Sequence, residues 1–239
     1  YNLGNVLDAL GRKQEAEGAY RESIAKYDEL IAAGAPQLET ERALVHASLG
    51  NVLFDRDRKQ EAIVAYESAL AVWEPRLKTA ASADPGPGLV PEVAKARYNL
   101  GRVLDSQSRA DEAISAYLGA VELWETLAGP ERPELSLDLA RARTNLAYTL
   151  RAKGRLPEAV DQFQQAIEIY QEHLASDPNE LDLEDSLTSE IAALMARART
   201  NLALALESRG QRAEAVPHHR AAVELLDQLV AKGRATLAS

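Results

Sequence analysis

Tyr98-Asn99-Leu100-Gly101-Arg102-Val103-Leu104 decides the fold, because the same phrase returns along the whole chain. It appears as Tyr1-Asn2-Leu3-Gly4-Asn5-Val6-Leu7 and as Ser48-Leu49-Gly50-Asn51-Val52-Leu53. It returns as Thr144-Asn145-Leu146-Ala147-Tyr148-Thr149-Leu150 and as Thr200-Asn201-Leu202-Ala203-Leu204-Ala205-Leu206. A Glu-Ala pair and then a ring-bearing residue follow each copy: Glu15-Ala16 with Tyr20, Glu61-Ala62 with Tyr66, Glu112-Ala113 with Tyr117, Glu158-Ala159 with Phe163, and Glu214-Ala215 with His219. The leading Leu stands at Leu3, Leu49, Leu100, Leu146 and Leu202, so the outer period is uneven, yet the step from that Leu to the later Ala is always 13. A fixed inner spacing inside a variable outer period marks a repeated structural unit.

The unit reads as a helical hairpin. Leu100 and Leu104 lie four apart and share a helix face. A small residue follows the Leu every time: Gly4, Gly50, Gly101, Ala147 and Ala203. Gly costs a helix about 1 kcal/mol relative to Ala, so a close approach of the partner helix backbone is expected there. The second helix carries Ala113, Tyr117, Ala120 and Val121 at i, i+4, i+7 and i+8, and Ala113 to Leu127 reads as continuous helix. Turn signals separate the two helices at Leu10-Gly11-Arg12, Lys153-Gly154-Arg155 and Arg209-Gly210-Gln211, where Gly suits a left-handed C-cap. Pro157 falls near the start of the following helix, where its missing N–H is harmless.

Pro and Gly collect between hairpins, at Gly34-Ala35-Pro36, Asp84 to Pro91, Gly129-Pro130 with Pro133, and Asp177-Pro178-Asn179. New helices are expected to open at about Pro91, Leu135 and Ser186. The Asp84–Pro91 stretch reads as a long loop and not a domain linker, because the repeat register resumes directly after it. One solenoid of five repeats is expected, at about 1–42, 43–91, 92–134, 135–185 and 186–239. Tyr1 already lies inside a repeat motif, so a fragment of a longer protein is expected.

Composition agrees. Ala and Leu, the leading helix formers, supply most of the 46% hydrophobic content, and aromatics make up only 5%. The net charge of −10 argues against nucleic acid and against docking on an anionic membrane. The chain has no cysteine, which removes disulfides, thiolate metal sites and Cys nucleophiles together. No apolar stretch approaches the roughly 20 residues that span a bilayer.

These residues resemble the tetratricopeptide repeat family over nearly the whole chain. The resemblance implies an all-α, right-handed α-solenoid of about five helix-turn-helix repeats with elongated helices. There are departures. The usual repeat has about 34 residues, and every repeat here is longer. The conventional Trp early in the first helix is absent, and no Pro ends the second helix at a regular position. The Asn-Leu-Gly and Asn-Leu-Ala starts look most like the expanded repeats of kinesin light chains, and like bacterial arrays appended to signalling enzymes such as Ser/Thr kinases and caspase-like peptidases.

The resemblance also implies that the first helices line a groove in which partners lie as extended peptides. Carried over by position, it gives a column of Asn2, Ser48, Asn99, Asn145 and Asn201. An Asn amide offers both a donor and an acceptor and can hold a peptide backbone; alternatively it caps or bridges neighbouring helices. Two positions earlier stand Arg97, Arg143 and Arg199, with Lys95, Arg141 and Arg197 beside them and Arg102 and Arg151 near the same wall. Arg forks pair with carboxylates and phosphates, which points to an acidic or phosphorylated partner segment. The competing reading is that these Arg pair with Glu and Asp on adjacent helices. The candidate groove is therefore Asn2, Asn51, Arg97, Asn99, Arg102, Arg143, Asn145, Arg199 and Asn201.

Tyr20, Tyr66, Tyr117 and Phe163 fall on the apolar stripe and read as core, and Trp73 and Trp124 read as core or inter-repeat packing. His218 and His219 are adjacent and point about 100° apart on a helix, so they do not make a metal site. The acidic run Asp177 to Asp185 lacks the Gly and spacing of a calcium loop. No phosphate-binding glycine loop, nucleophile elbow or HExxH motif occurs. The sequence thus predicts a non-catalytic cytoplasmic scaffold with no cofactor or metal, whose partner is a protein or peptide of acidic character. Self-association through the solenoid ends, as a regulatory module of a larger signalling enzyme, is the alternative.

Overall fold

The computed structural model describes residues 1–80, 88–129, 132–174 and 186–238. The expected Pro-rich loop before Leu89, Pro130 and the acidic run Asp177 to Asp185 lie outside the described residues, apart from Gly88. Ten helices occur among the described residues, paired as five hairpins: α1 (Asn2–Ala9) with α2 (Lys13–Ala32), α3 (Glu39–Asp55) with α4 (Lys59–Ala80), α5 (Leu89–Ser106) with α6 (Ala110–Glu125), α7 (Pro133–Ala152) with α8 (Leu156–Leu174), and α9 (Ser186–Ser208) with α10 (Arg212–Ala238). A 3-10 turn, Pro36–Leu38, leads into α3. The chain divides into two compact units, Tyr1–Leu123 and Trp124–Ser239. The fold class is all-α, as the repeat pattern predicts.

One turn closes every hairpin. At the end of the first helix the C′ residue turns left-handed: Gly11 (φ 73°), Gly154 (φ 74°) and Gly210 (φ 79°), but also Asp57 (φ 59°) and Ser108 (φ 60°). The hydrogen bonds follow the Schellman pattern. The Ser108 N–H donates to the Asp105 carbonyl (2.9 Å) and the Arg109 N–H to the Leu104 carbonyl (3.0 Å). The same two bonds close Gly11, Asp57, Gly154 and Gly210. Arg-x-x-Glu then opens the second helix in four hairpins, with Arg12 on Glu15, Arg58 on Glu61, Arg109 on Glu112 and Arg155 on Glu158. In the fifth, Gln211 bonds Glu214.

The apolar stripe becomes the core. Tyr20, Tyr66, Tyr117 and Phe163 are buried, and Trp73 and Trp124 are each 1% exposed. In the first unit Trp73 and Leu70 of α4 pack with Ala43 of α3 and with Val93 and Ala96 of α5. The small residue after the leading Leu has a cause other than the expected one. A β-carbon at Gly4, Gly50 or Gly101 would strike the ring of Tyr20, Tyr66 or Tyr117, not the backbone of the second helix. Another correction concerns α6, which ends at Glu125 and does not run to Leu127. The Leu127 N–H bonds the Trp124 carbonyl three residues back (3.0 Å), a 3-10 tightening that closes the helix just before Gly129.

Candidate partner-binding surface

In the first unit, α3 and α5 are first helices of successive hairpins, and they pack directly on each other. Their exposed edges carry a connected polar chain. The Asn51 amide oxygen accepts from the Tyr66 hydroxyl (2.6 Å) and from the Asn99 amide (3.0 Å). The Asn99 oxygen accepts a long bond of 3.4 Å from Arg102. Asn99 therefore bridges two helices and is also half-exposed, so the two readings of the Asn column are compatible here. The first hairpin has an analogue: the Tyr20 hydroxyl donates to Asn5 (2.7 Å). Asn2 is exposed on α1.

Arg102 is exposed and lies over two rings, 5.1 Å from the Phe54 centroid and 5.9 Å from that of Tyr98. No carboxylate pairs with it among the described residues. Burial pushes the Tyr66 and Tyr117 hydroxyls well above the usual phenol range, and the Arg102 charge pulls the other way on both. The result is a neutral, aromatic-walled surface with one open guanidinium.

Arg97 is differently placed. Its Nε and Nη2 donate to one Glu74 oxygen at 2.9 and 2.7 Å, and its guanidinium lies against Gly119. It therefore runs in among the second helices, away from the Asn99–Arg102 edge.

In the second unit α7 and α9 are the successive first helices. The Asn201 amide donates to the Tyr148 hydroxyl (3.1 Å) and to the Arg197 carbonyl (2.9 Å). Arg197, exposed, lies 5.8 Å over the Tyr148 ring, and that ring meets Phe163 edge-on at 5.3 Å. Asn145 is half-buried on α7. Arg143 is buried, with its guanidinium bound to Glu125 and to Gln162 (2.9 Å). It belongs to the packing of this unit and not to an open wall. Arg199 is half-buried.

The candidate residues thus separate into two sets. Asn51, Asn99, Arg102 and Asn201 lie on exposed or half-exposed first-helix edges, whereas Arg97 and Arg143 turn inward onto Glu74 and Glu125. The aromatic platforms Phe54, Tyr98 and Tyr148 were not singled out in the sequence. Their signal is positional: Tyr98 precedes Asn99, and Tyr148 stands at the repeat position of Arg102. Among the described residues no group of His, Asp or Glu is set to hold a metal, and no helix is long and apolar enough to cross a membrane.

Family models described as tetratricopeptide repeat match residues 92–172, residues 48–128, and residues 1–31 with 195–230. The chain belongs to the tetratricopeptide repeat family. Similar solved structures include MamA, at 19% identity over 95% of this chain and 96% of that one, with a TM-score of 0.60. YrrB, described as a TPR protein with an unusual peptide-binding site, is 20% identical over 98% of this chain and 89% of its own, with a TM-score of 0.59. A Podosopora anserina putative kinesin light chain with nearly identical TPR-like repeats is 18% identical over 95% and 93%, with a TM-score of 0.61. At such identities the likeness is one of tetratricopeptide fold. No curated protein matches the sequence.

Proposed function

We propose that this tetratricopeptide array is a non-catalytic scaffold that holds an acidic, extended segment of a partner protein along its first helices, at Asn51, Asn99 and Arg102. One observation carries the reading. Arg102 is an exposed guanidinium seated between two aromatic rings without a carboxylate of its own among the described residues, whereas Arg12, Arg58, Arg97, Arg109, Arg143 and Arg155 are all paired. A guanidinium flanked by amides can fix a peptide carboxylate and its neighbouring backbone together. Arg197 over Tyr148, with Asn201 beside it, offers the same chemistry in the second unit.

The test is an array of acidic, neutral and basic peptides probed with the whole chain and with Asn99→Ala/Arg102→Ala. Selective capture of acidic peptides that the double variant loses, at unchanged helicity, supports the reading. Capture indifferent to peptide charge, or retained by the variant, sinks it.

A second reading, association through an end face, is favoured by α10. Val216, Val223 and Leu226 are 53, 56 and 46% exposed, whereas Val160, Ile167 and Tyr170 are buried at the matching positions of α8, which packs on both α7 and α9 of the next hairpin. Concentration-dependent mass distinguishes it: a strict monomer that still captures peptide supports the first reading.

A further inference from the structure

We infer that the second unit contains an oxyanion site between Arg199 of α9 and His218 of α10, where a ligand's carboxylate or phosphate takes the place that a glutamate fills in the preceding repeats. The argument begins with register. Arg97, Arg143 and Arg199 each stand two positions before the column Asn. Arg97 is paired with Glu74 and Arg143 with Glu125. Each of those acids directly follows a Trp that holds the same place in both repeats, Trp73 counted from Ala62 and Trp124 counted from Ala113. Counted in the same way from Ala159, the aromatic is Tyr170 and its successor is Gln171. The acid is therefore missing from the one junction that Arg199 occupies.

The second partner changes too. Arg143 also donates to Gln162, the third position after Ala159. At the third position after Ala215 stands His218. The Arg199 Nε and the His218 Nδ1 are both shielded from solvent, and neither has a hydrogen-bond partner among the described residues. The Arg143 Nε is shielded in the same way, but Arg143 has Glu125 and Gln162 on its other nitrogens, and Arg199 has no such carboxylate among the described residues. Burial holds Arg199 below the usual guanidinium range, and it lowers His218, with the Arg199 and His219 charges acting in the same direction. His219 itself faces Glu207 at 3.4 Å. A half-buried guanidinium without a counter-charge is destabilising. A carboxylate or phosphate would accept from its fork with charge assistance, beside the orphan nitrogen of the imidazole. The site does not depend on the Asn99–Arg102 surface, which lies in the first unit.

The test uses the full chain with 15N-labelled histidine. Sodium acetate and inorganic phosphate are titrated separately against sodium chloride at matched ionic strength, with His218 as reporter. A saturable shift of His218 with either anion is expected, and the anion that gives it tells whether the site takes a carboxylate or a phosphate. Gln171→Glu, at an exposed position, restores the missing acid and should weaken the anion by about tenfold or more. Arg199→Gln should abolish the shift. No saturable response to either anion overturns the site, as does a response that both variants keep undiminished.

Discussion

The ring of Tyr66 occupies the space that a β-carbon on Gly50 would need, with its Cε1 2.8 Å from that point. Tyr20 stands so to Gly4 (2.5 Å) and Tyr117 to Gly101 (2.7 Å). The ring cannot retreat easily, because Tyr66 is 1% exposed and its hydroxyl is tied to Asn51. Gly50→Ala gains about 1 kcal/mol of helix propensity, but overpacking costs about 1–3 kcal/mol. A net loss of about 1 kcal/mol is expected in denaturant unfolding. Tyr66→Phe cuts the tether and should reduce the penalty, so the two changes will not be additive. Stability equal to or above that of the parent in the single variant would show that the ring yields freely.

Ser108 holds a left-handed conformation that costs a side-chain-bearing residue about 1–2 kcal/mol. Gly at this turn relieves that strain, less the extra freedom it gives the unfolded chain, about 0.5–1 kcal/mol. Ser108→Gly should raise stability by about 0.5–1 kcal/mol. Asp57→Gly should gain less, since the Asp57 carboxylate also meets Lys59 at 3.3 Å. A fall in the unfolding midpoint of Ser108→Gly would contradict the strain account.

The contrast between these turns shows what was legible. Gly11, Gly154 and Gly210 announce three hairpin turns through their chemistry, whereas Asp57 and Ser108 make the same turn with side chains that carry no such signal. The aromatic stripe was readable because it obeys a helical period. The purpose of Gly50 was not, since the Tyr66 ring and a partner backbone would both demand a small residue there. That Arg97 and Arg143 pair with acids on adjacent helices was one of the two sequence readings, but the partners Glu74 and Glu125 were hidden by the variable outer period, which sets Arg and acid at a different sequence distance in each pair. Arg102 was placed in the wall from its position alone, but its stacking on Phe54 depends on how α3 and α5 pack.

Glu17 is a buried carboxylate serving three guanidiniums, with Arg21 at 2.8 Å and Arg56 and Arg58 beside it. Burial raises its pKa, but hydrogen bonds from Arg21 and Arg58 outweigh that and leave it below the usual carboxylate value. A carboxyl whose folded pKa lies below its unfolded one contributes stability above the unfolded value and loses it as pH falls through the folded one. Glu17→Gln should therefore cost about 1–2 kcal/mol at pH 7, a buried-pair loss reduced because its Arg partners remain partly hydrated. The gap between parent and variant should close as pH falls below about 4. A gap unchanged between neutral and acidic denaturation curves would show that Glu17 acts by packing and not by charge.

Arg102 allows charge and shape to be tested apart. Its guanidinium can stack on Phe54 and Tyr98 while presenting its fork outward, which an ammonium at the same place cannot do. Arg102→Lys keeps the charge but loses the planar stack and the bidentate grip. With an acidic peptide selected from the array, fluorescence anisotropy should show Arg102→Ala weaker by about tenfold, a charge-assisted contact of about 1.4 kcal/mol. Arg102→Lys should fall between it and the parent, and its deficit should persist at moderate salt, where a purely Coulombic contribution is screened. Thermal stability should change by no more than about 0.5 kcal/mol, since the side chain is exposed. If Lys restores full affinity at both salt concentrations, the rings beneath Arg102 serve only to pack the helices, and the partner reads nothing there but a positive charge.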